Sequence, residues 1–152
     1  KFDAVISIFN AIGHLSKPDF EKAIRNIGEN LNHKGIYIFD IFNFDFMKRN
    51  FIDYEFIDFC KEIEGVKYVR LNKNRLNLEK RIMNINQKIY VQEEIKKPKI
   101  FEEHWNMQIY SSEQLKEVLS KCGFEVVEFL DMKGDKFNKE HSPSILTIAR
   151  KK

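Results

Sequence analysis

A histidine and an aspartate sit beside the two most apolar stretches near the start of this chain, and proton transfer is the chemistry that such groups perform. His14 follows shortly after "AVISIF" (4–9), and Asp40 lies within "GIYIFDIF" (35–42). A lone carboxylate in an apolar strand is expensive to bury, so Asp40 serves either as a site residue or as a loop cap. His14 is either a functional group or an ordinary loop histidine. Asn10 has a common task at hand, capping the turn after the first run. Spacing excludes other chemistries. The four histidines and the cysteines Cys60 and Cys122 offer no C-x-x-C or H-x-x-H pattern for a metal, and no G-x-S-x-G marks a serine nucleophile. His104 falls on the polar side of an alternating stretch and reads as a solvated residue, whereas Trp105 falls on its apolar side and reads as core.

The elements that must position these residues are legible as periodicity. Residues 4–9 form a continuous apolar run rich in β-branched side chains, the pattern of a strand buried on both faces of a parallel sheet, with neighbours on both sides. In 16–35, Phe20, Ala23, Ile24, Ile27 and Leu31 recur at helical spacing, Ser16 can cap the start, and Gly35 lies just beyond the expected end. "GIYIFDIF" is a second strand, apolar almost throughout, so it too is expected inside a sheet covered on both faces. Strand, helix and strand make one right-handed βαβ unit. From 43 to about 65 aromatic residues crowd among acids, which predicts short helical or irregular structure. The aromatic run from Phe42 to Phe59 reads as packing rather than as a lid. Three segments then alternate at period two, about 66–74, 82–91 and 100–110, giving an antiparallel sheet with one wet face. Met83, Ile85, Ile89 and Val91 share one side of the second, and Phe101, Trp105, Met107 and Ile109 one side of the third. Ser111 and Gln114 then make a capping box for a helix striped with Leu115, Val118, Leu119 and Cys122 and stopped by Gly123. "FEVVEFLDM" and "SILTIAR" close the chain as strands.

Composition sets the limits. The 152 residues suffice for one domain with its own core, and 43% hydrophobic with 32% charged residues is globular usage. No apolar run approaches the roughly 18 residues of a membrane span, and no signal-peptide pattern appears. Two lone thiols suit a reducing cytoplasm, the expected location. A net charge of +3 does not demand a polyanionic partner. Residues 53–64 are acidic and 67–81 basic, but Lys67, Arg70, Lys73, Arg75, Lys80 and Arg81 fall on both parities of a strand, so nucleic-acid binding is the weaker reading of what is a solvated surface.

The ordered set "FDAVISIFNAIGHL", a helix, "LNHKGIYIFDIFN", an antiparallel insertion, "YSSEQLKEVLSKCGFEVVEFLD" and "SPSILTIARK" resembles the C-terminal half of a class I S-adenosylmethionine-dependent methyltransferase of the small-molecule kind. In that family one strand reads F-D-x-V, the next follows an L-x-x-G-G turn, and a Y-S-x-E-x-L helix, an a-G-F phrase and an antiparallel hairpin complete the order. This chain has "NHKG" where a double glycine is usual. The resemblance implies an α/β fold, the C-terminal half of a doubly wound Rossmann-like sheet with an inserted antiparallel β-sheet. Residues 1–43 and 111–152 would form the core and 66–110 the insertion of a single partial domain.

The same resemblance implies a cofactor, S-adenosylmethionine, and a small-molecule acceptor. It puts Phe9, Asn10 and His14 on the cofactor side of a crevice at the carboxyl ends of the strands, and Asp40, Phe42 and Asn43 on the acceptor side. His14 and Asp40 become candidates to take a proton from an amine or hydroxyl, although methyl transfer draws much of its rate from alignment alone. The family's Gly-rich cofactor loop has no counterpart among Gly13, Gly28, Gly35, Gly65, Gly123 and Gly134. Weak or no cofactor binding by this chain alone is therefore expected. The alternative of a different class is a binding or assembly module that lacks catalysis and associates through its opening strand. A homo-oligomer is expected under both, because an uncovered central strand is an aggregation liability.

Overall fold

A computed structural model describes all of residues 1–152. The chain divides into two compact units, Lys1–Phe51 with Gln108–Lys152, and Ile52–Met107.

The first unit holds strands β1 (Phe2–Ser7), β2 (Leu31–Phe42), β7 (Phe124–Leu130) and β8 (Ser144–Lys151) and helices α1 (Lys17–Asn30), α2 (Phe44–Asn50) and α3 (Ser112–Lys121). The sheet order is β1-β2-β8-β7, with β1 parallel to β2 and the later pairs antiparallel. The βαβ unit read from the sequence is present. Ser16 caps α1, its hydroxyl oxygen accepting the Asp19 N–H, and Ser111 and Gln114 form the reciprocal capping box of α3. Gly123, at φ 84, supplies the left-handed residue that follows α3.

Gly35 does not stop α1. The helix ends at Asn30, because Leu31 turns to the extended conformation and buries its side chain completely. The chain then bends at Lys34, whose φ of 62 places a lysine in the left-handed region that the double glycine of the resembled turn would occupy more freely. Lys151 reaches back to the open end of α1 and donates to the carbonyls of Gly28 and Leu31 at 2.5 and 2.9 Å. A cation there satisfies orphan carbonyls and opposes the helix dipole.

One face of this sheet is covered. Tyr37, Phe39, Ile41, Ile145 and Ala149 meet Phe20 and Ile24 of α1 and Leu115 and Leu119 of α3. Phe20 stands edge-on to Phe39 and Tyr110, with centroids 5.7 and 5.3 Å apart. Each fully buried side chain of this size contributes about 1.5–3 kcal/mol.

The opposite face differs from expectation. Ile36, Ile38, Leu146 and Ile148 alternate with the covered residues and remain half-buried. β1, read as an interior strand, lies at the edge with β2 as its sole neighbour, and Phe2 and Ile6 are 63% and 64% exposed. The apolar pattern is that of a two-sided interior, while helices of this unit cover only the side bearing Val5, Tyr37 and Phe39.

The second unit is an antiparallel sheet of four strands in sequence order: β3 (Phe56–Ile63), β4 (Val66–Asn77), β5 (Ile82–Glu93) and β6 (Lys99–Gln108). β3 falls in the stretch expected to be helical or irregular. A bulge between Ile57 and Phe59 breaks its alternation, and as an exposed edge strand it has no buried face to write a period-two pattern. Met83 and Ile85 lie on the packed face as read, which continues through Gln87, 8% exposed. Phe101, expected on that face, is 51% exposed, and Trp105 is half-buried rather than core.

Candidate functional site

β1 ends at Ser7, and the chain must then turn sharply into a short 3-10 helix, Ala11–His14. It does so through two successive left-handed residues, Phe9 at φ 62 and Asn10 at φ 55. Asparagine tolerates that region, whereas for phenylalanine it costs roughly 1–2 kcal/mol. Such strain persists only where the surroundings over-determine the backbone, and it concentrates at functional sites.

The surroundings here are polar and specific. The Asn10 N–H donates to Asp40 Oδ2 at 3.0 Å, and Asn10 Oδ1 accepts the Phe42 N–H at 3.1 Å. The Gly13 N–H donates to the Asn10 carbonyl at 3.0 Å, closing the turn. Gly13 is required by space: a Cβ there would lie 2.8 Å from Asn10 Nδ2. Asn10 and Asp40 are both buried, at 5% and 4% exposure. The loop after β1 is thus sewn to the end of β2 by side chains from each.

Asp40 caps the loop with Oδ2, while its Oδ1 is buried without a hydrogen-bond partner. Phe42 is half-buried. Asn43, fully buried, donates through Nδ2 to the carbonyls of Lys139 and Ser142 at 2.9 and 2.8 Å and caps α2 by accepting the Asp45 N–H through Oδ1. Its polar atoms are occupied within the protein, so it clamps the end of β2 to the loop before β8. Phe9 is 86% exposed, and His14 is exposed on the 3-10 helix. Of the six residues singled out in sequence, three are joined directly by hydrogen bonds (Asn10, Asp40, Phe42), two present free surface on the same loop (Phe9, His14), and one is a clamp (Asn43). Gly13 was not singled out, and nothing in its sequence context announces the contact it permits.

No protein-family model matches the chain, and no curated protein matches it in sequence. Solved structures do match. An S-adenosylmethionine-dependent methyltransferase from Clostridium acetobutylicum superposes with a TM-score of 0.77 at 17% identity, over 99% of this chain and 58% of its own. The fold matches that of this methyltransferase over part of its length. CalS10, an amino pentose methyltransferase from Micromonospora echinaspora, matches with a TM-score of 0.76 at 17% identity over the same shares. KedS8, a sugar N-methyltransferase from Streptoalloteichus, matches at 0.73 and 18%, over 99% of this chain and 56% of its own. This chain therefore spans a little under three-fifths of the methyltransferases it matches. The α/β methyltransferase fold read from the ordered motifs is the observed one, and no helix is long and apolar enough to cross a membrane.

Proposed function

We propose that this chain is part of an S-adenosylmethionine-dependent methyltransferase that acts on a small polar acceptor, and that the loop 7–15 with the end of β2 forms one wall of its site. The carrying observation is the strained loop after β1, held by Asn10 and Asp40, with Phe9 and His14 exposed on it. Similarity to an amino pentose methyltransferase and a sugar N-methyltransferase supports a small polar acceptor.

The residues present fit one side of such a cofactor. The exposed Phe9 ring offers a face to a flat heterocycle. Asn10 holds the loop and has its side-chain Oδ1 spent on the Phe42 N–H, so its part is to shape the wall rather than to touch the ligand. When bound, S-adenosylmethionine supplies an electrophilic methyl group. Alignment of an acceptor against it accounts for much of the rate of such a displacement. His14, exposed beside the wall, would accept the proton that an amine or hydroxyl acceptor sheds, and Asp40 Oδ1 is the carboxylate oxygen left over for an ammonium or hydroxyl at the end of β2.

A complete pocket needs a second wall, and the six glycines of this chain build no loop that lets the backbone approach the cofactor closely. In isolation the chain is expected to bind S-adenosylmethionine no more tightly than about 1 mM. Titration calorimetry tests this. Weak heat that disappears in Phe9→Ala supports the reading, micromolar affinity would contradict the incompleteness of the pocket, and weak heat unchanged in Phe9→Ala would contradict the wall.

A second reading, an assembly module, draws on the edge strand: Phe2 and Ile6 are exposed beside the half-buried Ile38. Exposed apolar strands recruit partners. Sedimentation equilibrium of the wild type and Ile6→Lys tests this second reading, since an association module requires an oligomer that this variant dissociates and a monomeric wild type would remove it.

A further inference from the structure

The second unit carries a polar trough that neither the methyltransferase wall nor the fold requires. Register puts Lys73 opposite Asn86 and Arg75 opposite Asn84 on one face of the sheet, and cross-strand side-chain bonds bring Glu102 and His104 of β6 onto the same face. These residues, with Glu55, line a cavity of about 620 Å³. That volume is within the range of small-molecule sites, yet the lining is polar where such sites are mostly apolar.

A chain of hydrogen bonds fixes the atoms that face the trough. Asn86 Nδ2 donates to the Lys73 carbonyl at 2.9 Å, which turns Asn86 Oδ1 toward His104 Nδ1, 2.8 Å away. The reverse amide orientation would set two acceptors against each other. An amide oxygen can only accept, so Nδ1 of His104 carries the hydrogen and, in the neutral ring, Nε2 holds the open lone pair. Asn84 is likewise fixed, its Nδ2 donating to Asn106 Oδ1 at 2.6 Å.

The charges are not balanced. Lys88 is paired with Glu102 at 3.1 Å, while Lys73 and Arg75 have no ion-pair partner and Glu55 is the remaining carboxylate of the lining. Two free cations two residues apart on one strand face, beside fixed amides, suit one oxyanion. The carboxylates around them disfavour a long polyanion.

We propose that this trough binds a small hydroxylated or aminated molecule bearing one phosphate or carboxylate, its oxyanion held by Lys73 and Arg75 and its hydroxyl or amine donating to His104 Nε2. The site lies wholly within residues 52–107, so the inference stands or falls independently of the proposed methyl transfer.

Nitrogen-15 NMR of the histidine rings and binding titrations with three-carbon probes test it. The probes are glycerol 3-phosphate, glycerate and glycerol, the first two distinguishing phosphate from carboxylate as the anion. The neutral ring of His104 is expected as the Nδ1–H tautomer, in a setting whose other titratable groups are Glu55, Lys73, Arg75, Lys88 and Glu102. At least one anionic probe is expected to shift the His104 resonances and to bind at least about tenfold more weakly to the Lys73→Gln/Arg75→Gln variant, with glycerol weaker than both anions. His104→Gln is expected to weaken the anionic probe while leaving the far-ultraviolet spectrum unchanged. An Nε2–H ring, equal affinity for glycerol and the anions, no probe binding at all, or tighter binding of a single-stranded RNA through these residues would each overturn the proposal.

Discussion

The side chain of Asn10 and the backbone of Phe42 are tied by a 3.1 Å hydrogen bond that joins the loop after β1 to the end of β2, and the same asparagine is left-handed. Two costs therefore separate on substitution. Asn10→Ala strands the Phe42 N–H and forces alanine into the left-handed region, for a loss of about 2–4 kcal/mol. Asn10→Gly removes the side chain but relieves the backbone, and is expected to lose about 1 kcal/mol less. The urea midpoints of the two variants measure the difference, and equal midpoints would contradict the strain at Asn10.

Gly13 and Asn10 are expected to be coupled. Gly13→Ala would set a methyl 2.8 Å from Asn10 Nδ2, an overpacking of about 1–3 kcal/mol. With Asn10 cut back to glycine that clash vanishes, so the double variant is expected to be more stable than the sum of the single losses implies. Additive urea results would show that the contact is accommodated elsewhere.

Alkaline pH probes the core. Burial raises the phenol of Tyr37 well above its ordinary range, with Ser7 opposing more weakly, and burial raises that of Tyr110, helped by the Glu21 charge. The unfolded chain ionises these tyrosines near pH 10 while the folded chain keeps them protonated. Their contribution to stability is full below about pH 10 and is lost as pH rises toward the folded values, by up to about 1.4 kcal/mol per pH unit for each. Tyr110→Phe, which also removes a buried hydroxyl without a partner, is expected to be neutral or stabilising at pH 7 and to flatten the decline above pH 10. Chemical denaturation across pH 8–11 reads both, and an unchanged alkaline slope would contradict the assignment.

What the sequence disclosed follows from how each feature is encoded. Helices α1 and α3 were legible because a cap, an apolar stripe and a stop occur together, although Leu31 ended α1 sooner than Gly35 suggested. The methyltransferase order was legible from phrases such as "FDAV" and "CGF", which sit on β1 and at the turn from α3 into β7. β3 was not, since an exposed edge strand with a bulge carries no alternation. The edge position of β1 was also hidden: an apolar run reports that a strand is built for burial and not what lies beside it. At the site, the types and neighbourhood of Asn10 and Asp40 were readable, but their hydrogen bonds join residues thirty or so positions apart, and Asn43 looked like a site residue while its amide clamps a loop nearly a hundred residues away.

The wall formed by the loop after β1 and the end of β2 is tested most directly by chemical-shift mapping of S-adenosylhomocysteine on the nitrogen-15-labelled chain at ligand concentrations around its expected affinity of about 1 mM or weaker. Perturbations confined to residues 7–15 and 40–43, with Phe9 and His14 foremost, are the expected result. Perturbations largest within residues 52–107 would contradict it.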